Sequence, residues 1–175
     1  TLALVAKAGA AAPGTTGTIL KTFNSLVAGE GGIAFTATLA SGSSNVTTSN
    51  NTGLWAQNGA GNLVLVARTG ASPTPTLTSF SLFNSEAGQT GHSRHFNDAG
   101  DLLLLAKFGT GPQGIYRARA YSFTLNGTAP IAAVGSAVPD VTGAVFSAIS
   151  NPILSQSDEV AFKATFTGNG ITTAN

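Results

Sequence analysis

The sequence has 175 residues, which is the length of one domain of ordinary size. Charged residues make up 9% of it, against about 25% in an average soluble domain, and the net charge is +1, which argues against nucleic acid as a partner. There is no cysteine, so disulfides and thiolate metal sites are excluded, and the longest apolar runs are too short for membrane insertion.

The first predicted strand covers residues 2–7, and its sequence returns twice along the chain. Residues 2–9 match residues 63–70 almost position for position: a Leu-x-Leu-Val-Ala segment, a cation and, two residues later, a glycine. A looser copy covers residues 131–135. The glycines that end the three copies are 61 and 65 residues apart. A regular spacing of this length is typical of repeat architectures.

Three more predicted strands lie between successive copies of this motif. Each repeat has an apolar strand, then a turn with a second apolar strand, then a segment that begins with Gly-x-aromatic or Gly-x-Thr. These segments are residues 18–23, 31–35 and 53–55 in the first repeat, 77–83, 100–104 and 114–116 in the second, and 144–149, 158–162 and 170–172 in the third. They are short, rich in β-branched and aromatic residues, and bounded by Gly, Pro, Asn and Ser, which predicts an all-β fold.

The strand order predicts one all-β domain over residues 1–175 made of three four-stranded units. The units cover residues 16–75, 76–142 and 143–175, the last completed by a strand like residues 1–9. A repeated four-stranded antiparallel sheet is typical of a propeller blade, and a β-sandwich is the alternative.

This count leaves the first strand without a sheet and the last sheet without its fourth strand. Unpaired strand edges favour pairing with another chain. We therefore expect copies of the chain to exchange strands, as a ring or as a filament, unless the chain is part of a longer array. The residues expected at this contact are Leu2, Leu4, Val5, Ala6, Val160, Phe162 and Ile171.

The turn before each second strand carries a further pattern. Asn97 and Gly100 occupy the turn of the second repeat, and Ala34-Phe35 and Ala161-Phe162 occupy the strands of the first and third. The pattern resembles the NxxGxxAF signature of tandem repeats in secreted and surface-anchored bacterial proteins. The copies depart from it at Ala28, Leu103, Leu104, Ser155 and Asp158. The resemblance implies a propeller-like fold and an extracellular or cell-surface location, and it implies no catalytic residues.

Residues with catalytic or metal-binding chemistry are few. Five of the seven acidic residues lie in the turns before second strands, where short polar side chains bond backbone N–H groups. His92 and His95 form the one histidine pair, and on a strand their side chains would point to opposite faces. A metal-assisted hydrolase built on this pair with Asp98 and Asp101 is the enzyme alternative. We expect no enzyme, no metal and no cofactor.

Trp55 and Tyr116 are the residues that would bind a ligand, because exposed aromatic rings stack on sugars. They occupy equivalent positions in the third strands, so the other interpretation is that they pack between units. The leading prediction is an extracellular structural subunit that self-assembles by strand exchange, with copies of itself as partners. A glycan- or protein-binding module, with surface glycans as partners, is the alternative.

Overall fold

A computed structural model describes residues 3–29, 32–70, 76–82, 95–118, 129–168 and 170–172. Within these ranges every regular element is a strand, as the all-β prediction requires. The ten strands are β1 (Thr18–Gly29), β2 (Gly32–Ser41), β3 (Thr52–Gln57), β4 (Leu63–Arg68), β5 (Leu77–Ser81), β6 (Leu102–Phe108), β7 (Gln113–Ala118), β8 (Ala132–Ala133), β9 (Ala144–Leu154) and β10 (Val160–Gly168).

The strands form three antiparallel sheets that follow one another along the chain. The first sheet has the order β1-β2-β3-β4 and the second β5-β6-β7-β8, so each strand pairs with its neighbour in sequence. The third sheet pairs β9 with β10. The repeated antiparallel sheets of the prediction are therefore confirmed, and three successive sheets replace the two layers of a sandwich.

The sheets pack face to face because alternate residues of each strand point to opposite sides. The core between the first and second sheets contains Leu54 of β3 and Leu104 of β6. Their chain neighbours point the other way: Trp55 lies in a core on the outer face of the first sheet, and Leu103 lies in the core between the second and third sheets. The second sheet is consequently covered on both faces.

Two strands that the sequence predicts do not form in the described residues. Residues 3–7 and 170–172 carry strand-like sequence, but neither segment belongs to a strand. The third unit therefore has two strands in the described part of the chain, and not the three of its own that the sequence predicts.

Candidate assembly surface

The junction that leads from one sheet to the next has the same geometry three times. In each junction a glycine with positive φ, the backbone region in which glycine is least strained, donates its N–H to the first strand of the following sheet. The bonds are Gly9 to Leu20 O (2.8 Å), Gly70 to Leu77 O (3.0 Å) and Gly135 to Phe146 O (2.7 Å). Residues 3–7 therefore approach β1 as the fourth strand β4 approaches β5.

The segment at residues 3–7 has the sequence of a fourth strand, but within the described ranges it joins no sheet. Leu4 is 76% exposed, while Val5 and Ala6 are half-buried and Ala6 packs against the core that contains Trp55. In the single chain these residues form no strand. An isolated strand is not stable without a neighbour that accepts and donates its backbone hydrogen bonds, so the predicted pairing with another chain stays a prediction. Leu2 lies outside the described residues.

The sheet edge at which such a strand could add is the edge of β10. In the described part of the chain β10 pairs with β9 alone, whereas β2 and β6, which hold the same place in their sheets, have a strand on each side. The inward side chains of β10, Val160 and Phe162, are half-buried. The residue that corresponds to Phe162 in the second sheet is Leu104, which is fully buried. In the described part of the chain β10 has one neighbouring strand and β6 has two, which explains why Phe162 is less buried than Leu104.

Ile171 does not begin a strand beside β10, contrary to the prediction. Its N–H donates to Gly168 O (3.1 Å) in a turn that follows β10 directly. The acceptor edge in the described residues is therefore β10 itself.

Trp55 is a packing residue. Its side chain is fully buried, its ring stacks on Phe35 with centroids 5.7 Å apart, and its indole N–H donates to Pro13 O (2.9 Å). The ring lies over Gly53, where a Cβ would collide with it. Trp55 thus offers no ring face to a sugar.

The outer face of the first sheet is covered by the chain that leads into it. Ala12 is 2% exposed in the core around Trp55, and Val46, from the loop between β2 and β3, packs against the same core. The same face also carries Phe23 and Leu26 of β1, which are 42% and 57% exposed. On the outer face of the third sheet Val145 and Ile153 are each 38% exposed. Both ends of the stack therefore expose some apolar side chains.

Tyr116 repeats the arrangement of Trp55 in the second sheet. It is 8% exposed, meets Phe108 edge to face at 5.2 Å, and lies close to Gly114 as Trp55 lies over Gly53. Burial raises the pKa of its phenol. Tyr116 is thus a packing residue as well. It lies in the core between the first and second sheets, whereas Trp55 packs on the outer face of the first sheet and not between two units.

The turn before β6 is bonded to the turn before β10, and sequence reasoning missed this contact. Asn97 Nδ2 donates to Asp158 Oδ1 (2.8 Å), and Asp98 N–H donates to Gln156 Oε1 (2.9 Å). Arg117 adds a bond from Nη1 to Asp158 O (3.0 Å). The signal was present, because Asn97 and Asp158 lie in equivalent turns of successive repeats and stacking of the sheets brings such turns together.

Both turns also have the backbone geometry expected of them. Asn97 Oδ1 accepts the N–H of Asp101 (2.8 Å), and Ser155 Oγ accepts that of Glu159 (2.9 Å). In the third repeat Ser155 therefore accepts the turn hydrogen bond that Asn97 accepts in the second.

The described residues bring together no three His, Asp or Glu side chains that could hold a metal ion. His95 is buried at 7% exposure in the turn region before β6. His92, the other half of the predicted histidine pair, lies outside the described residues. The part of the chain that the structure describes also contains no helix long and apolar enough to cross a membrane.

Comparisons with known proteins give one result. Neither the curated proteins nor the solved structures contain a match to this chain. The model of the family described as "Family of unknown function (DUF7453)" matches residues 1–121, which run from the first segment through β7 and are more than half of the chain. The chain belongs to the DUF7453 family.

Proposed function

We propose that this protein is an extracellular or cell-surface structural subunit that self-assembles by β-strand addition. The observation that carries the proposal is the match between a donor and an acceptor. Among the residues that the structure describes, residues 3–7 have strand sequence without a strand partner, and β10 has one edge without a strand. An added strand would supply the hydrogen-bond partners that β10 lacks on that side.

Strand addition would also cover apolar side chains of the third sheet. Val160 and Phe162 of β10 are half-buried, and a strand added at the edge of β10 would lie beside them. The outer face of the first sheet also exposes apolar groups, since Phe23 and Leu26 of β1 are 42% and 57% exposed. Strand addition is favoured over packing at that face because it also supplies backbone hydrogen-bond partners.

The sequence of β10 offers little opposition to an added strand. Proteins commonly protect sheet edges with charged residues or proline. β10 carries one charged residue, Lys163, among alanine, threonine, valine and phenylalanine. An apolar donor such as residues 3–6, Ala-Leu-Val-Ala, fits this edge better than a polar one would.

The test is the molecular mass of the protein in solution, by light scattering over a range of concentrations. We expect oligomers or fibres that Leu4→Lys disrupts, since Leu4 is 76% exposed and its replacement leaves the folded chain intact. The matched control is Ala60→Lys, which adds the same charge at an exposed turn.

A truncated chain without residues 1–8 separates donor from acceptor. It should remain monomeric and should bind a synthetic peptide of residues 1–9. A chain of residues 1–175 that is monomeric at every concentration, or a truncated chain that assembles normally, would refute the proposal.

A further inference from the structure

A cleft of about 430 Å³, lined by polar and apolar groups in similar measure, opens on the first sheet, away from β10. Its walls are the turn at residues 13–17, the loop at residues 42–51 and the end of β4. Arg68 is the charged residue among the described side chains that line it, and none of those side chains is acidic. A cleft of this size holds a small ligand or a few units of a polymer.

The walls of the cleft are fixed to one another by backbone bonds. The carbonyl of Gly17 accepts three successive N–H groups of the loop, from Gly42, Ser43 and Ser44, at 2.8–3.0 Å. On the other side Arg68 Nε donates to Asn50 O (2.8 Å). A site whose walls are already ordered loses little conformational freedom when a ligand binds.

The bond to Asn50 also orients the guanidinium of Arg68. The bond uses the Nε–H of Arg68, so the two terminal nitrogens remain able to donate to the two oxygens of one carboxylate. The side chain is half-buried, so this contact is partly shielded from water.

Neutral polar groups surround the arginine. Thr16 and Asn45 are exposed, and Ser44 Oγ donates to Gly17 O (3.0 Å), which leaves its oxygen able to accept. Hydroxyl and amide groups both donate and accept, as sugar hydroxyls do. An acidic peptide would use the arginine but few of these groups.

We infer that this cleft binds an acidic polysaccharide. The carboxylate of a uronic acid unit pairs with Arg68, and the ring hydroxyls bond Thr16, Ser44 and Asn45. This site does not depend on strand addition at β10, so either proposal stands if the other fails.

The test is titration calorimetry with a trimer of galacturonic acid, beside a neutral glucose trimer and a glutamate peptide of equal charge. We expect binding of the uronate trimer alone, weakened at least about tenfold in Arg68→Gln. Lys21→Gln, which removes the same charge from an exposed position on β1, is the control and should bind normally.

Thr16→Glu is a second cleft variant, and it tests the site even if Arg68→Gln fails to fold. Thr16 is exposed, so its replacement preserves the fold while it places a carboxylate at the rim, and binding should fall. Absence of uronate binding to the native chain, equal binding of the neutral trimer or the peptide, or unchanged binding in both cleft variants would overturn the inference.

Discussion

Asn97 shows how one side chain joins two sheets. It is 1% exposed, and it bonds both its own turn, through Asp101 N–H, and the next sheet, through Asp158. A buried amide with these partners stabilises the stack because each bond replaces one to water and removal of the amide leaves its buried partners unsatisfied.

Asn97→Ala should therefore lower the free energy of unfolding by about 2–3 kcal/mol in urea denaturation. Asn58→Ala is the control, because Asn58 accepts the N–H of Asn62 in a similar turn but bonds no other sheet. We expect it to cost about 1 kcal/mol. Equal costs for the two variants would mean that the contact between turns adds no stability.

Asp140 illustrates a position where glycine is preferred but absent. It has φ 62°, and the same place in the junction before β1 is held by Gly14 with φ 71°. The two loops share their bonds, since Ala12 N–H donates to Thr18 O and Val138 N–H to Ala144 O.

Asp140→Gly should raise the free energy of unfolding by about 0.5 kcal/mol, because the left-handed region is costly for a residue with a Cβ. Asp158, at φ 67°, is the contrasting case: its carboxylate accepts from Asn97, so Asp158→Gly should destabilise. Thermal unfolding measures both changes. Shifts of the same sign in the two variants would show that backbone strain and the side-chain bond have been assigned wrongly.

At the scale of elements, the third strands depend on an aromatic ring that covers a glycine. The pairs are Trp55 over Gly53 and Tyr116 close to Gly114. The Gly-x-aromatic pattern occurs at equivalent places in the sequence of the first two repeats. Residues two apart on a strand share a face, so the ring lies on the same side of the sheet as the glycine.

Gly53→Ala should lower the free energy of unfolding by about 1–3 kcal/mol, since the new methyl group must displace the indole. The protein has one tryptophan, so its fluorescence reports the displacement directly, as a shift towards longer wavelength. Gly111→Ala is the control, because its Cβ would meet only the carbonyl of Phe108, at 3.0 Å. A native-like emission spectrum for Gly53→Ala would contradict the packing described.

The pattern of strands could be predicted from sequence where the signal is local. The short apolar segments bounded by turn residues gave β1–β4 and β5–β8 in the correct order. The same signal misled at residues 3–7, which match β4 closely but form no strand. A strand needs a partner in space, and residues 3–7 carry the pattern without one.

At the scale of the whole molecule, the stacking of the sheets explains what local sequence could not supply. The bond from Asn97 to Asp158 joins residues of two repeats, and the cleft at Arg68 joins a turn, a loop and a strand end. Such contacts follow from the way the repeats pack on one another. The glycine spacing indicates that there are repeats, but it does not say which residues of two repeats come into contact. The burial of Trp55 and Tyr116 was foreseeable from their equivalent places.

If β10 accepts a strand from a second copy, amide hydrogen exchange of residues 160–168 will report it. These amides should become slower to exchange as the protein concentration rises, and the effect should vanish in the chain that lacks residues 1–8. Exchange in β10 that is the same at all concentrations, or that is unaffected by the truncation, would show that β10 receives no strand from a second copy.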